Sequence, residues 1–159
     1  MDASELRVQL EQLHPVSYGW ALACCSHNPM EAEDILQTAY WKVLAGRARF
    51  DGRASFKTWL FAVISRTAAD ERRRCWLRRL RLADYRPERA EAGPPSPAAE
   101  TLLAALAQLS RRQREVLHLV FYQELTIEEA AAVMGVSVGS ARTHYARGKQ
   151  RLRELLHEP

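Results

Sequence analysis

Six residues near the C-terminus have side-chain types and a spacing that suit contact with a polyanion. If residues 138 to 156 form a helix, the six lie on one polar and basic face of it. They are Ser140, Arg142, Thr143, Ala146, Arg147 and Lys149. On the first turns of a helix that enters a DNA major groove, Arg and Thr side chains can hydrogen-bond to base edges and phosphate oxygens. The chemistry predicted for this face is therefore recognition by charge and hydrogen bonding, without bond breaking.

The segment before this face marks the ends of the helices that must position it. Two capping boxes begin at Ser110 and Thr126, and each has a Gln or Glu three residues later, so that both side chains satisfy backbone N–H groups. Gly135 suits the left-handed residue that ends a helix, and Ser137 can cap the next helix. Two helices separated only by a turn, the second one basic, predict a DNA-binding helix-turn-helix. The less favoured interpretation is a helical hairpin whose arginines are merely solvated.

A second basic segment, residues 46 to 54, has an aromatic ring inside it. Single-stranded bases are held in proteins by stacking on aromatic rings beside cationic groups. We predict such contacts from the loop residues Arg47, Arg49, Phe50, Asp51, Gly52 and Arg53. Ser55 caps the helix that follows, and its aromatic residues Phe56, Trp59 and Phe61 have a spacing that favours the core over a stacking platform.

Positive charge is concentrated in the middle of the chain. The net charge of +4 comes entirely from residues 71 to 92, which hold 8 basic and 4 acidic side chains. Six arginines stand near the end of a helical pattern: Arg72, Arg73, Arg74, Arg78, Arg79 and Arg81. We interpret this cluster as a binding surface for a phosphate backbone. The alternative is a solvated helix end.

A helix is also predicted over residues 29 to 45, because Asn28 suits the cap, Pro29 the first turn and Gly46 the end. Its apolar side carries Ile35, Leu36, Ala39, Tyr40, Val43 and Leu44. The other side shows Asp34, Gln37, Thr38 and Trp41. A Trp beside a carboxylate and an amide is typical of a protein interface, although periodicity alone equally allows Trp41 to fold back onto the core.

The composition and the helical patterns predict an all-α protein of two small helical domains. The first domain covers residues 1 to 83 and opens with a helix that we expect Pro15 to interrupt. Residues 84 to 99 contain four of the seven prolines and have no apolar period, so they are predicted to form a flexible connector. The second domain covers residues 100 to 159 and holds the helix-turn-helix; we expect no further domain after Pro159.

Several function classes are not supported by the residue patterns. The sequence has no apolar run of membrane-spanning length and no signal-peptide pattern, so we expect a cytoplasmic protein without membrane insertion. Cys24, Cys25 and Cys75 do not form an even disulfide set, and with His27 they match no standard zinc spacing, so we expect reduced, mostly packed thiols. We find no clustered nucleophile, acid–base pair or phosphate loop, and therefore expect no enzyme activity, cofactor, metal or small-molecule substrate.

The order of these parts resembles a known family. The segments AEDILQTAYWKVL, RFDGRASFKTWLFAVISRTAADERRR and LSRRQREVLHLVFYQELTIEEAAAVMGVSVGSARTHYARGKQRLREL look like those of a bacterial extracytoplasmic function (ECF) sigma factor of the sigma-70 family. The resemblance covers residues 8 to 82 and 100 to 156. It implies a protein that binds core RNA polymerase and directs transcription initiation at specific promoters.

The resemblance also implies roles for individual residues. Asp34, Gln37, Thr38 and Trp41 correspond to the surface that docks on the clamp coiled coil of the largest polymerase subunit. The loop around Arg49 to Ser55, with Arg47 beside it, corresponds to the segment that captures an unpaired non-template base of the minus-ten element. The helix after this loop approaches the duplex edge with Arg66, Asp70, Arg73 and Arg74. The C-terminal face from Ser140 to Lys149 corresponds to the reader of the minus-thirty-five element, and an anti-sigma protein is a further implied partner.

One alternative class remains in competition at this point. A two-domain helix-turn-helix regulator, with an N-terminal dimerisation or sensing module, would bind its duplex site without polymerase and as a dimer on a palindrome. The acidic docking helix and the basic aromatic loop favour the sigma factor, because a duplex-binding regulator needs neither.

Overall fold

The described residues of the computed structural model, 1–81 and 96–157, form seven α-helices and no strand. The bounds are α1 Ala3–Cys24, α2 Pro29–Leu44, α3 Phe56–Arg81, α4 Pro97–Ala107, α5 Arg111–Leu117, α6 Ile127–Met134 and α7 Val138–His157. A π-helical turn, His118–Tyr122, continues α5. The helices belong to two compact units, the first holding α1 to α3 and the second α4 to α7. The predicted all-α class is confirmed.

The first unit is built around one buried tryptophan. Trp20 of α1 has no exposed surface, and its indole Nε1 donates a hydrogen bond to the Phe61 carbonyl of α3 at 3.0 Å. The two rings stack with their centroids 6.1 Å apart. Ile35 and Leu36 are the largest of the buried residues that α2 adds to this core. The apolar faces predicted from helical periodicity therefore meet around Trp20.

The expected interruption of the first helix at Pro15 is wrong. The helix α1 runs unbroken from Ala3 to Cys24 with Pro15 inside it. A proline within a helix removes one hydrogen bond and costs about 3 kcal/mol. Leu10 before it and Trp20 after it are both buried, so packing on both sides of the proline holds the helix together.

The second unit begins earlier than the sequence predicts. Residues 97 to 99, assigned above to the connector, form the first turn of α4, because Ser96 caps it and Pro97 occupies its first position. The Ser96 hydroxyl accepts a hydrogen bond from the Ala99 N–H at 3.3 Å. The predicted flexibility of residues 84 to 95 concerns a stretch outside the described residues.

Within the second unit, α7 packs against α5 at a glycine. Gly148 is buried, and a Cβ atom there would lie 3.2 Å from both Gln113 Cβ and Leu117 Cδ1. This distance is too short for a comfortable carbon–carbon contact. A side chain at position 148 therefore requires the Gln113 and Leu117 side chains to shift by a few tenths of an ångström.

Gly148→Val is accordingly expected to destabilise the second unit by about 1–3 kcal/mol through overpacking. Gly139→Val is the matched control, because it makes the same change in the same helix where the nearest atom, Ser137 Oγ, is 4.0 Å away. Thermal unfolding followed by circular dichroism measures both variants. Equal melting temperatures for the two would contradict the close contact.

Candidate nucleic-acid and protein interfaces

The helix-turn-helix predicted from the capping boxes is present in the second unit. Thr126 Oγ1 accepts a hydrogen bond from the Glu129 N–H at 3.1 Å, and Glu129 accepts one from the Thr126 N–H at 2.8 Å. Gly135 ends α6 in the left-handed conformation with φ +67°. The Ser137 hydroxyl then accepts a hydrogen bond from the Ser140 N–H at the start of α7. Each predicted cap therefore forms, and the tight turn between α6 and α7 follows from them.

The face of α7 predicted to read DNA is exposed except at its last residue. Ser140, Arg142, Thr143, Ala146 and Arg147 are exposed, and Lys149 is half-buried. Ala141 and Gly148 are buried on the opposite side of the helix. The structure thus brings the six candidates onto one side of α7, with small residues packed beneath it.

Two cations of this face already have partners within the unit. Arg142 forms a 3.1 Å ion pair with Glu128 of α6. The Lys149 ammonium lies 4.8 Å from the centre of the Tyr145 ring, which in turn stacks on Phe121 at 5.8 Å. Within the described residues Arg147 forms no ion pair. These three cations therefore differ in how freely they can meet a phosphate.

In the first unit, the loop before α3 is held by its aromatic residue. The Phe50 ring packs 5.4 Å from the Phe56 ring and 5.5 Å from the Trp59 ring, measured between centroids. Phe50 is half-buried, whereas Arg47, Arg49 and Arg53 are exposed. The loop therefore presents cations around a fixed aromatic cluster, which we define as Phe50, Phe56 and Trp59.

Local hydrogen bonds shape the same loop. Gly46 and Gly52 have φ +70° and +75°, a conformation that favours glycine at both turns. Arg49 Nε donates to the Gly46 carbonyl at 3.3 Å, and Asp51 accepts from the Arg53 N–H at 3.1 Å. Asp51 also pairs with the Arg53 guanidinium at 3.4 Å. Asp51 is thus a structural element of the loop as well as a candidate contact.

Ser55, carried over as a DNA contact, already uses its hydroxyl within the protein. The hydroxyl accepts a hydrogen bond from the Thr58 N–H at 3.1 Å and lies 2.9 Å from Thr58 Oγ1. This is the cap that the sequence predicted for α3. The nearby aromatic residues were predicted to lie in the core. Phe61 is buried as predicted, whereas Phe56 and Trp59 are half-buried.

The remaining minus-ten candidates lie along α3. Arg66 and Arg73 are exposed. Asp70 pairs with Lys42 of α2 at 3.4 Å, and Arg74 pairs with Glu71 at 3.0 Å. The structure therefore places cations on α3 next to a carboxylate that is engaged with α2.

Arg72, predicted above as part of the basic cluster, has a structural role instead. Its guanidinium donates a hydrogen bond to the Cys24 carbonyl at 2.9 Å and so joins α3 to the end of α1. Sequence reasoning missed this role because the two residues are 48 positions apart. The other five arginines of the cluster are exposed.

The second candidate surface of the first unit lies on α2. Asp34 and Gln37 are exposed, Thr38 is half-buried, and Trp41 is 54% exposed. The Arg47 guanidinium lies 5.0 Å from the centre of the Trp41 ring. Trp41 therefore does not fold back onto the core, and the interface alternative is the one that its exposure supports.

Leu44 and Tyr40 depart from the core positions predicted for them. Leu44 is 47% exposed and Tyr40 is half-buried. Together with Leu10 and His14 they line an open groove between α1 and α2.

The three cysteines form no disulfide, and two of them are packed, in line with the mostly packed thiols that the sequence predicts. Cys24 is buried and Cys25 is half-buried, whereas Cys75 is exposed on α3. Burial, together with the nearby Glu31, raises the pKa of the Cys25 thiol to about 12. Its Sγ lies 3.4 Å from the Asn28 carbonyl, to which the protonated thiol donates. Within residues 1–81 and 96–157, no group of three or more His, Cys, Asp or Glu side chains is arranged to hold a metal ion.

None of the helices in the described segments combines the length and the apolar character that crossing a bilayer requires.

Comparison with known families matches both units. The family model for sigma-70 region 2 matches residues 10–79, and the model for sigma-70 region 4 matches residues 99–152. The region 2 match covers the α2 surface and the basic loop, and the region 4 match covers the helix-turn-helix. An ordinary two-domain regulator is not favoured, because the N-terminal half of the chain matches a sigma factor region.

Individual relatives agree with the family models. The chain is 34% identical to the RNA polymerase sigma factor CarQ of Myxococcus xanthus over 86% of this chain and 81% of that protein. It is 33% identical to the ECF RNA polymerase sigma factor SigX of Bacillus subtilis over 80% and 73% of the two chains. Among solved structures, the sigma factor RpoE of Bartonella quintana, in complex with the anti-sigma factor NepR, matches with a TM-score of 0.81 and 25% identity over 96% of both chains.

The two matched regions and the two helical units define a sigma-70-type transcription initiation factor. Within that class, the chain belongs to the ECF sigma factors. It functions with core RNA polymerase to direct transcription initiation from promoter DNA.

Proposed function

We propose that the two units divide promoter recognition between them. The first unit docks on core polymerase through α2 and holds unpaired bases of the minus-ten element at the loop before α3. The second unit places α7 in the major groove of the minus-thirty-five element. The observation that carries this assignment is that each unit exposes a separate cationic face, one on a loop built around aromatic rings and one on the second helix of a helix-turn-helix.

Polymerase docking is assigned to the exposed stripe of α2. The exposed Trp41 ring supplies a large apolar area. Asp34 supplies a charge beside it, and Gln37 supplies hydrogen-bonding groups. Trp is one of the residue types enriched at the hot spots of protein interfaces. We assign the clamp coiled coil of the largest polymerase subunit as the partner, by the family resemblance.

Minus-ten recognition is assigned to the loop from 47 to 55 and to α3. The arginines Arg47, Arg49 and Arg53 attract the phosphate backbone, and Phe50 offers the exposed part of its ring to a base. Arg66, Arg73 and Arg74 continue the positive surface along α3 toward the duplex, with Asp70 and Ser55 holding the local structure. Single-stranded DNA would thus follow a line of cations with an aromatic group in the middle.

The tethering of the two units gives the spacing between promoter elements a role in specificity. Each unit alone would bind DNA weakly, but once one has engaged, the second binding event becomes intramolecular. Polymerase supplies the chemistry, so we propose no catalytic role for the chain itself. We place its activity in the cytoplasm, where polymerase and promoter are found.

An anti-sigma factor is proposed as a further partner. The solved structure of RpoE contains its anti-sigma factor NepR, and the structure of CnrH, which shares 23% identity, contains the cytosolic domain of CnrY. A protein that covers α2 would compete with polymerase for the same surface. The Trp41 and Asp34 side chains are the groups that such a partner would have to bury.

The test of the assignment is run-off transcription with bacterial core polymerase on a library of upstream sequences. Arg147→Ala is expected to reduce promoter-specific transcripts by about tenfold or more, because one good base or phosphate contact is worth about 1–3 kcal/mol. Arg147 forms no ion pair within the described residues, so its loss should not disturb the fold.

Arg153→Ala provides the matched control for that variant. Arg153 is also an exposed arginine of α7, but it lies beyond the first turns that enter a groove. Transcripts that share two spaced upstream motifs and are lost in Arg147→Ala alone would support the assignment. Equal losses in both variants would show that only net charge matters and would contradict it.

A further inference from the structure

The ion pair between Glu128 and Arg142 connects the two helices of the helix-turn-helix. Glu128 Oε1 and Arg142 Nη2 are 3.1 Å apart, and the two side chains are 61% and 64% exposed. Arg142 belongs to the face proposed above to contact DNA. One cation of that face is therefore already paired within the protein before DNA arrives.

The neighbouring carboxylate, Glu129, has a different role. It accepts a hydrogen bond from the Thr126 N–H and forms part of the capping box of α6. Glu128 takes no part in that cap, and its carboxylate is directed to Arg142 across the turn. The two adjacent glutamates in the first turn of α6 thus have different roles. Glu129 caps the start of α6, and Glu128 pairs with Arg142 of α7.

We propose that Glu128 is a specificity-determining residue that restrains DNA binding by Arg142. The inference rests on the proposed function of α7. In the free protein, Glu128 occupies the guanidinium group and repels any phosphate that approaches it. Arg142 therefore contributes to binding only when DNA offers an acceptor good enough to replace the carboxylate.

The geometry makes this exchange possible. An exposed ion pair is held weakly, because water screens both charges, so a well-placed acceptor can displace it. A guanine edge or a phosphate that meets the guanidinium with two hydrogen bonds is such an acceptor. A phosphate met at random along the backbone is not a good enough acceptor. Arg142 would exchange its contact with Glu128 for one contact with that phosphate, and the Glu128 carboxylate would repel the phosphate. The pair therefore weakens non-specific binding more than specific binding.

The first experiment measures non-specific binding by the full chain. Fluorescence anisotropy with a labelled random-sequence duplex of 30 base pairs is followed across a series of KCl concentrations. Glu128→Gln is expected to bind this duplex about two- to fivefold more tightly than the wild type at low salt. The slope of log K against log[salt] should steepen, by up to about 0.9, because one more cation becomes available to neutralise a phosphate.

Glu129→Gln is the matched control, because it removes the same charge one residue away. Glutamine can replace glutamate in a capping box, so this variant keeps its helix start. The affinity of Glu129→Gln for the random duplex should remain close to that of the wild type. Equal gains in Glu128→Gln and Glu129→Gln would overturn the proposal, because they would show an effect of net charge alone.

A double variant separates this proposal from the assignment of α7 itself. In the Arg142→Ala background, Glu128→Gln should no longer raise the affinity, since the restrained group is absent. A gain that persists without Arg142 would overturn the restraint mechanism and leave the DNA-binding role of α7 intact. If Arg147→Ala has no effect on promoter-specific transcription, the failure is that of the proposed function instead.

Run-off transcription by the holoenzyme then measures discrimination. The two templates are a promoter recovered from the library and the same promoter with its minus-thirty-five element scrambled. Glu128→Gln should lower the ratio of transcripts from the intact template to those from the scrambled template by about two- to fivefold. An unchanged ratio would overturn the proposal even if the affinity for random duplex rises.

Discussion

Trp20→Ala is expected to destabilise the unit of α1 to α3 by about 3–5 kcal/mol. The substitution removes a fully buried indole, its hydrogen bond to the Phe61 carbonyl and its ring contact with Phe61. Small domains have a free energy of unfolding of about 5–15 kcal/mol, so the loss removes much of the stability of this unit. Trp76→Ala is the matched control, because Trp76 lies in the same unit and is 60% exposed.

Tryptophan fluorescence during urea denaturation measures this effect directly. The four tryptophans of the chain are at positions 20, 41, 59 and 76, so the signal reports only on the first unit. The midpoint should fall strongly in Trp20→Ala and little in Trp76→Ala. Circular dichroism, which also sees the helices of α4 to α7, should retain a later transition in Trp20→Ala. Similar midpoints for both variants would contradict the central role of Trp20 in the core.

Trp41→Ala is expected to weaken binding to core polymerase by about 2 kcal/mol or more, which is about a 30-fold rise in Kd. The reason is that Trp41 is 54% exposed in the free chain and offers the largest apolar area of the proposed docking stripe. Because the side chain is outside the core, the urea midpoint of the variant should stay near that of the wild type. Loss of binding would then reflect the interface and not the fold.

The measurement is competition between labelled wild-type chain and each variant for core polymerase in solution. Trp76→Ala is again the control, since it removes an exposed tryptophan that lies on α3 and not on α2. Binding of Trp41→Ala within about twofold of Trp76→Ala would contradict the assignment of the docking surface, because a central hot spot costs far more than that.

Much of the fold could be predicted from the sequence because its helix ends are marked by local chemistry. The capping boxes at Ser110 and Thr126 and the left-handed Gly135 depend only on residues within a few positions of each other. The Pro15 prediction fails for the opposite reason, whereas the start of α4 at Pro97 follows from local chemistry, the cap by Ser96. Local propensity predicts a break at Pro15, whereas burial on both sides of it, which is a tertiary effect, keeps α1 continuous.

The candidate sites, too, were predictable from the sequence only where they depend on local patterns. Periodicity placed the α7 face on one side of a helix, but it left two possible environments for Trp41, and only the packed structure exposes that ring. The Glu128 and Arg142 side chains are 14 residues apart, and Arg72 is 48 residues from Cys24. Contacts of this kind depend on how helices pack against each other, and no local pattern in the sequence encodes them.

The unequal environments of the three cysteines have a practical consequence for attaching probes. Thiol reagents attack the thiolate, and the raised pKa of Cys25 keeps its thiol protonated at pH 7. Cys24 is shielded from reagents by burial, whereas Cys75 is exposed near the end of α3. A brief maleimide treatment of the wild-type chain should therefore place a single fluorophore at Cys75, which makes α3 accessible to distance measurements without any engineered cysteine.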